Sequence, residues 1–189
     1  MNIKVLWNFI KGIITTPKKF WEGLQFKSEN KDGFLKEIFY PTIGIYSVSI
    51  FLSALFGAET LNVQRVLKHI LVECMTFIGG LFTVSYTLRY VGASFSNPFG
   101  SLSKILVFVG SCYVPMLMGL TIFSFLPKFH LERLLWGLVI YNVWNACISY
   151  FEDKRVEKVI VFILLSALLV VVPVMIEWVV LNIMPNMKY

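Results

Sequence analysis

The sequence predicts an all-α, polytopic membrane protein with five transmembrane helices behind an amphipathic amino-terminal segment. Three observations carry this. Five apolar stretches, at about Phe39–Ala58, Ile70–Tyr90, Ile105–Leu126, Leu134–Phe151 and Val159–Met184, fill most of the 189 residues. A helix rising 1.5 Å per residue needs roughly 20 such residues to cross the hydrocarbon. Charged residues make up 15% of the chain, against about 25% in soluble domains, and mean hydropathy is +0.73. The charges are also segregated: no Asp, Glu, Lys or Arg lies between Ile38 and Ala58, Ile105 and Pro127, or Leu134 and Phe151. A soluble helix returns a polar face every turn, and these do not. A membrane β-barrel would show alternating strands of about 10 residues. Continuous runs such as Val159–Val172 exclude that pattern.

Residues 1–37 form the extramembrane segment and residues 38–189 the bundle. Leu6, Phe9, Ile10 and Ile13 recur at helical spacing, with Trp7 beside them and Lys4, Asn8 and Lys11 opposite. This pattern predicts a helix in the membrane interface, with Trp7, Phe9, Ile10 and Ile13 as its interfacial residues. Lys4, Asn8 and Lys11 also interrupt Met1–Ile14, so it lacks the clean apolar region of a cleavable signal peptide. Thr16-Pro17 reads as an N-cap followed by proline at the first helical position. A second short helix then places Phe20, Trp21 and Leu24 on one face, and Asn30-Lys31-Asp32-Gly33 supplies a turn into the first span. The segment is expected either to anchor the chain or to dock a cytosolic partner.

Within the spans, polar residues are the pointers to function, because they are costly in hydrocarbon. Glu73 lies about a turn into the second span and Glu177 about two turns from the end of the fifth, with Arg65, Lys68 and His69 near the same level. Pairing of either carboxylate with Lys68 or His69 could mark an ion or proton path; the blander role is a carboxylate that reaches the interface or is protonated. Asn142 and Asn145, spaced i,i+3 in the fourth span, could line a substrate path, although interhelical hydrogen bonding is the commoner role. Pro115 and Pro173 each remove a backbone donor. A kink between Ser111 and Pro115 is expected, packed where Gly79-Gly80 permits close approach. No inverted repeat is evident.

Lys and Arg distribution sets the orientation. Twelve of the 17 basic residues fall before the first span and in the second and fourth connections, and five on the other side. Positive-inside bias predicts a cytoplasmic amino terminus and, after five crossings, a carboxyl terminus outside. The expected location is a bacterial inner membrane, with the basic face against anionic lipid. No feature suggests nucleic acid. Cys74, Cys112 and Cys147 fall inside spans, match no metal spacing and read as small core residues. Catalytic signatures are absent: no HExxH, GxSxG, paired intramembrane aspartates or Gly-rich phosphate loop occurs, and His69 and His130 lie in connections without a nucleophile grouped around them. Neither an enzyme nor a cofactor is expected.

Several short motifs resemble the Yip family of Ypt/Rab-interacting membrane proteins, in its bacterial branch. Thr16-Pro17-Lys18-Lys19-Phe20-Trp21-Glu22-Gly23-Leu24 is similar to a P-x-x-x-W-x-x-(I/L) opening, with Pro17 and Trp21 as its fixed points. Tyr40-Pro41 stands at the mouth of the first span. Gly110 to Leu117 is similar to a G-Y-x-L-x-P segment through Gly110, Tyr113 and Pro115, with two residues between the Gly and the Tyr. The resemblance implies five helices behind a cytoplasmic amino-terminal segment. Eukaryotic members bind prenylated small GTPases through a motif beginning Asp-Leu-Tyr, which this chain lacks. The leading expectation is a membrane-organising or partner-binding protein, its partner either another protein or a second copy of this chain. The alternative is a small transporter or channel subunit using Glu73, Glu177, Asn142 and Asn145.

Overall fold

The structure is a computed structural model that describes residues 3–27, 31–57, 62–92, 101–126, 134–150 and 155–183. The described chain is helical throughout, without strands. Its elements are α1 (Ile3–Thr15), α2 (Pro17–Lys27), α3 (Lys31–Phe34), a π-helical turn (Leu35–Phe39), α4 (Tyr40–Gly57), α5 (Val63–Gly92), α6 (Leu102–Phe123), α7 (Trp136–Tyr150) and α8 (Arg155–Ile183). Among the described residues four helical stretches are long and apolar enough to cross a membrane: Lys31–Phe56, Val63–Tyr90, Leu102–Phe123 and Val159–Ile183.

The fourth expected span corresponds to α7, which has 15 residues. At 1.5 Å per residue that is about 22 Å, short of the roughly 30 Å hydrocarbon thickness. The apolar run is longer than the helix because Leu134 and Leu135 form a 3₁₀ turn ahead of Trp136.

α6 is the axis of the bundle. Every residue from Ile105 to Leu117 is buried, and α4, α5 and α7 all pack on it. The most extensive packing joins α5 to α8. There a Cβ on Gly80 would lie 3.0 Å from Pro173 Cγ, and one on Gly79 would lie 3.4 Å from Ile176 Cδ1. Residues ascend in α5 where they descend in α8, so the two run antiparallel. Lipid tails are as apolar as leucine, so contacts of this kind, rather than flight from water, hold such helices together. The expected match of Gly79-Gly80 to the Pro115 region is therefore corrected: the pair receives α8. The glycines that serve α6 are its own: at Gly110 a Cβ would come within 2.6 Å of the Phe34 ring, and at Gly119 within 2.8 Å of Leu135 Cδ2.

The amino-terminal helices are packed on the bundle. Leu6, Ile10 and Ile13 are buried in the common core, while Lys4, Trp7, Lys11 and Ile14 stay exposed on the other side of α1. Phe9 meets Phe20 edge-on at 4.9 Å and Phe34 at 5.8 Å. Trp21 is fully buried, its ring 5.5 Å from Phe108 of α6, and α2 lies along α7. Thr16 starts α2 through its carbonyl, which accepts from Phe20 N–H. Its hydroxyl, expected to cap α2, instead donates back to Gly12 O at 3.3 Å, the carbonyl that also accepts from Thr16 N–H at 3.0 Å. This is the i−4 back-bond open to a threonine in a helical turn. The π turn precedes Pro41. Tyr40 N–H reaches back to Leu35 O, a wider turn just where the proline ring would crowd the preceding helical turn.

Candidate functional site

A cleft of about 890 Å³ opens at one end of the bundle. Five helices contribute to its wall, and the ends they contribute alternate. Tyr46, Ile50 and Ser53 come from the middle and late part of α4, and Arg65, His69, Glu73, Thr76 and Phe77 from the early part of α5. Met116, Leu120 and Phe123 come from the end of α6, Trp136 begins α7, and Val170, Val174 and Glu177 lie toward the end of α8. Consecutive helices therefore run in opposite directions around the cleft, α7 included.

Helical periodicity assembles the polar wall. Arg65, His69 and Glu73 are spaced i,i+4,i+8 and share one face of α5. Asn62 fixes the start of that helix, its Oδ1 accepting from Arg65 N–H at 3.1 Å. His69 Nε2 lies 3.5 Å from Glu73 Oε1, with the two side chains 34% and 19% exposed. Glu177 reaches the same cleft from α8. Given the Gly80–Pro173 and Gly79–Ile176 contacts, antiparallel register puts Glu177 about level with Thr76. The two carboxylates picked out in the sequence thus belong to one site, together with His69 and Arg65. Lys68 is turned to a separate shallow surface with Val63, Leu67 and Leu71.

Thr76 was not singled out in the sequence. It is 3% exposed, and its hydroxyl has no hydrogen-bond partner. Buried hydroxyls elsewhere in the bundle fold back on their own helices, Thr42 onto Ile38 O, Ser85 onto Leu81 O and Ser111 onto Val107 O, each at 2.6 Å; Ser166 of α8, outside the cleft, shares the lack of a partner. A buried, unsatisfied hydroxyl is costly, and that of Thr76 sits in the wall of a charged cleft. The aromatic wall was also unforeseen. Tyr46 and Phe77 meet edge-on at 6.3 Å, and Phe77 in turn meets Tyr113 at 6.0 Å.

Asn142 and Asn145 do not join the cleft. Their side-chain amides donate to Leu138 O and Tyr141 O, one turn back in α7, both at 2.8 Å. Among the motif residues, Tyr113 is fully buried and donates to Leu169 O at 3.0 Å, and Pro115 is buried inside α6. Pro17 starts α2, Tyr40 is exposed and Pro41 lies one residue into α4. The three cysteines are free thiols. Among the described residues no cluster of His, Cys, Asp and Glu could hold a metal ion. His130 lies outside the described residues. Comparison of the chain with family models, with curated proteins and with solved structures gives no match.

Proposed function

We propose that this chain is a non-enzymatic, multi-pass protein of a bacterial inner membrane that works as a small transporter or carrier subunit through the cleft between α4, α5, α6, α7 and α8. The observation that carries this is the convergence of Glu73, His69, Arg65 and Glu177 on one cavity. Ionisable groups at membrane depth are expensive, face cavities or one another, and mark ligand or ion paths. The volume is that of a small-molecule site. Asn142 and Asn145, spent on their own helix, drop out of this reading.

The proposal takes α7 as a fifth crossing, shorter than the rest. The alternating helix ends around the cleft support it, as does the packing of α7 between α6 and α8. With the amino terminus in the cytoplasm, the cleft then opens toward the outside. A Yip-type relationship fits the positions its motif residues occupy: Trp21 anchors α2, Gly110 admits Phe34, and Tyr113 ties α6 to α8.

One observation favours a second reading, in which the amino-terminal helices organise the membrane surface or bind a partner. α1 leaves Trp7 (65% exposed) and Ile14 (60% exposed) bare beside Lys4 and Lys11. Cells that depend on the protein separate the two. Loss of the phenotype on Glu73→Gln with Glu177→Gln supports the cleft. Loss only on changing Lys4, Lys11, Lys18 and Lys19 to Gln overturns it in favour of the surface.

A further inference from the structure

The chemistry of the cleft goes further than the presence of a ligand. We propose that it takes the ammonium group of a zwitterion, with the anionic part of the same molecule at Arg65. This inference rests on the reading of the cleft as a ligand site and names the class of ligand.

Four features of the wall point the same way. Glu73, which also meets His69 Nε2 at 3.5 Å, and Glu177 bring two carboxylates to a cavity whose other lining is mostly apolar, and two carboxylates beside a single histidine are well matched by a further cation with N–H donors. Aromatic rings from four helices, Tyr46, Phe77, Phe123 and Trp136, stand in the same wall. Ring faces attract a desolvated ammonium, which an uncharged or anionic ligand would not gain from. Thr76 brings to the same wall a buried oxygen with no partner of its own, which accepts an ammonium N–H once a ligand parts the side chains that cover it. Arg65 is exposed on the first turn of α5. A guanidinium there suits a phosphate or carboxylate carried a few atoms from the nitrogen.

An ammonium joined to a phosphate occurs both in the headgroup of a zwitterionic phospholipid and in a free amino-phosphate solute. The test uses the full chain purified in a non-ionic detergent, titrated by calorimetry with dihexanoyl phosphatidylethanolamine and with dihexanoyl phosphatidylglycerol. The two share chains and phosphate and differ in the ammonium. Expected is saturable binding of the ethanolamine lipid at least about tenfold tighter than the glycerol lipid, since charge-assisted hydrogen bonds are worth that much. Free phosphoethanolamine added as competitor separates the sources: displacement admits the solute, and no displacement leaves the lipid.

Thr76→Val preserves shape and removes only a hydroxyl that has no partner in the fold. It should leave the melting temperature unchanged or higher while weakening the ethanolamine lipid about fivefold or more. Equal affinity for the two lipids in the unaltered protein overturns the proposal without any variant. So does Thr76→Val binding as tightly as the parent. Should either occur while Glu73→Gln with Glu177→Gln still abolishes the cellular phenotype, the cleft keeps its function and only the ammonium is lost.

Discussion

The hydroxyl of Tyr113 donates to the backbone carbonyl of Leu169, 3.0 Å away across the α6–α8 interface. Leu169 stands four residues before Pro173, so its carbonyl is the one that proline leaves without a helical donor. In a bilayer no water replaces the missing bond. Tyr113 does.

Removing that donor should destabilise the bundle. Tyr113→Phe is expected to cost about 1–3 kcal/mol, the range for stranding a buried acceptor, read as a lower melting temperature in detergent. Pro173→Ala restores an N–H to α8, so Tyr113→Phe should cost less in that background. A coupling of roughly 0.6–2 kcal/mol is expected from membrane double-mutant cycles. Strict additivity would show that the hydroxyl and the proline are unrelated.

Gly110→Ala should be poorly tolerated, because its Cβ would meet Phe34 Cε1 at 2.6 Å. Overpacking of this kind costs typically 1–3 kcal/mol. Adding Phe34→Leu, which removes the clashing ring, should recover most of the lost melting temperature. Gly23→Ala makes a control, since nothing lies within 4 Å of its Cβ. Equal melting temperatures for the two single variants would refute the packing argument.

The orientation can be read with fusions at the carboxyl terminus. Twelve basic residues against five predict that a periplasmic reporter after Tyr189 is active and a cytoplasmic one silent. The reverse pattern would overturn five crossings from a cytoplasmic amino terminus, with the short α7 the first helix to re-examine.

Trp7 should lie at headgroup depth while Trp21 does not. In nanodiscs carrying a lipid quencher at the headgroup, Trp7→Phe is expected to remove much of the quenchable emission, and Trp21→Phe little. Exchanging Lys4 and Lys11 of α1 and Lys18 and Lys19 of α2 for Gln should weaken the preference of the amino-terminal helices for anionic lipid, each lysine being worth about 1 kcal/mol near the surface. A quenchable Trp21 would place the α2–α6 contact elsewhere.

Most helices were legible because apolar length and charge segregation are local properties. The buried stripe of α1, Leu6, Ile10 and Ile13, was legible for the same reason. What it packs on was not: an apolar face reads alike against lipid and against a bundle, and here it meets protein. The Thr16 hydroxyl turned the other way because a threonine can bond back to the carbonyl at i−4 as well as forward to amides, and composition cannot choose between them. In the site, Glu73 and Glu177 stood out as charges in apolar runs. Thr76 did not, since a threonine in a span ordinarily bonds its own helix. Nor did the aromatic wall, which comes from elements as far apart in sequence as Tyr46 and Trp136.

From Val159 to Ile183 α8 carries a single charge, Glu177, and little of this stretch is covered. Surrounded by lipid, such a helix has no preferred angle about its own axis. Its phase is set by one stripe: Leu169 held by Tyr113, then Pro173 and Ile176 against the glycines of α5. Glu177 falls on the same stripe, at i+8 from Leu169. A slip of one residue turns the helix by about 100°. It would release the hydrogen bond and the glycine seam together and swing the carboxylate out of the cleft. The contacts that fix the phase of α8 are therefore the ones that aim Glu177.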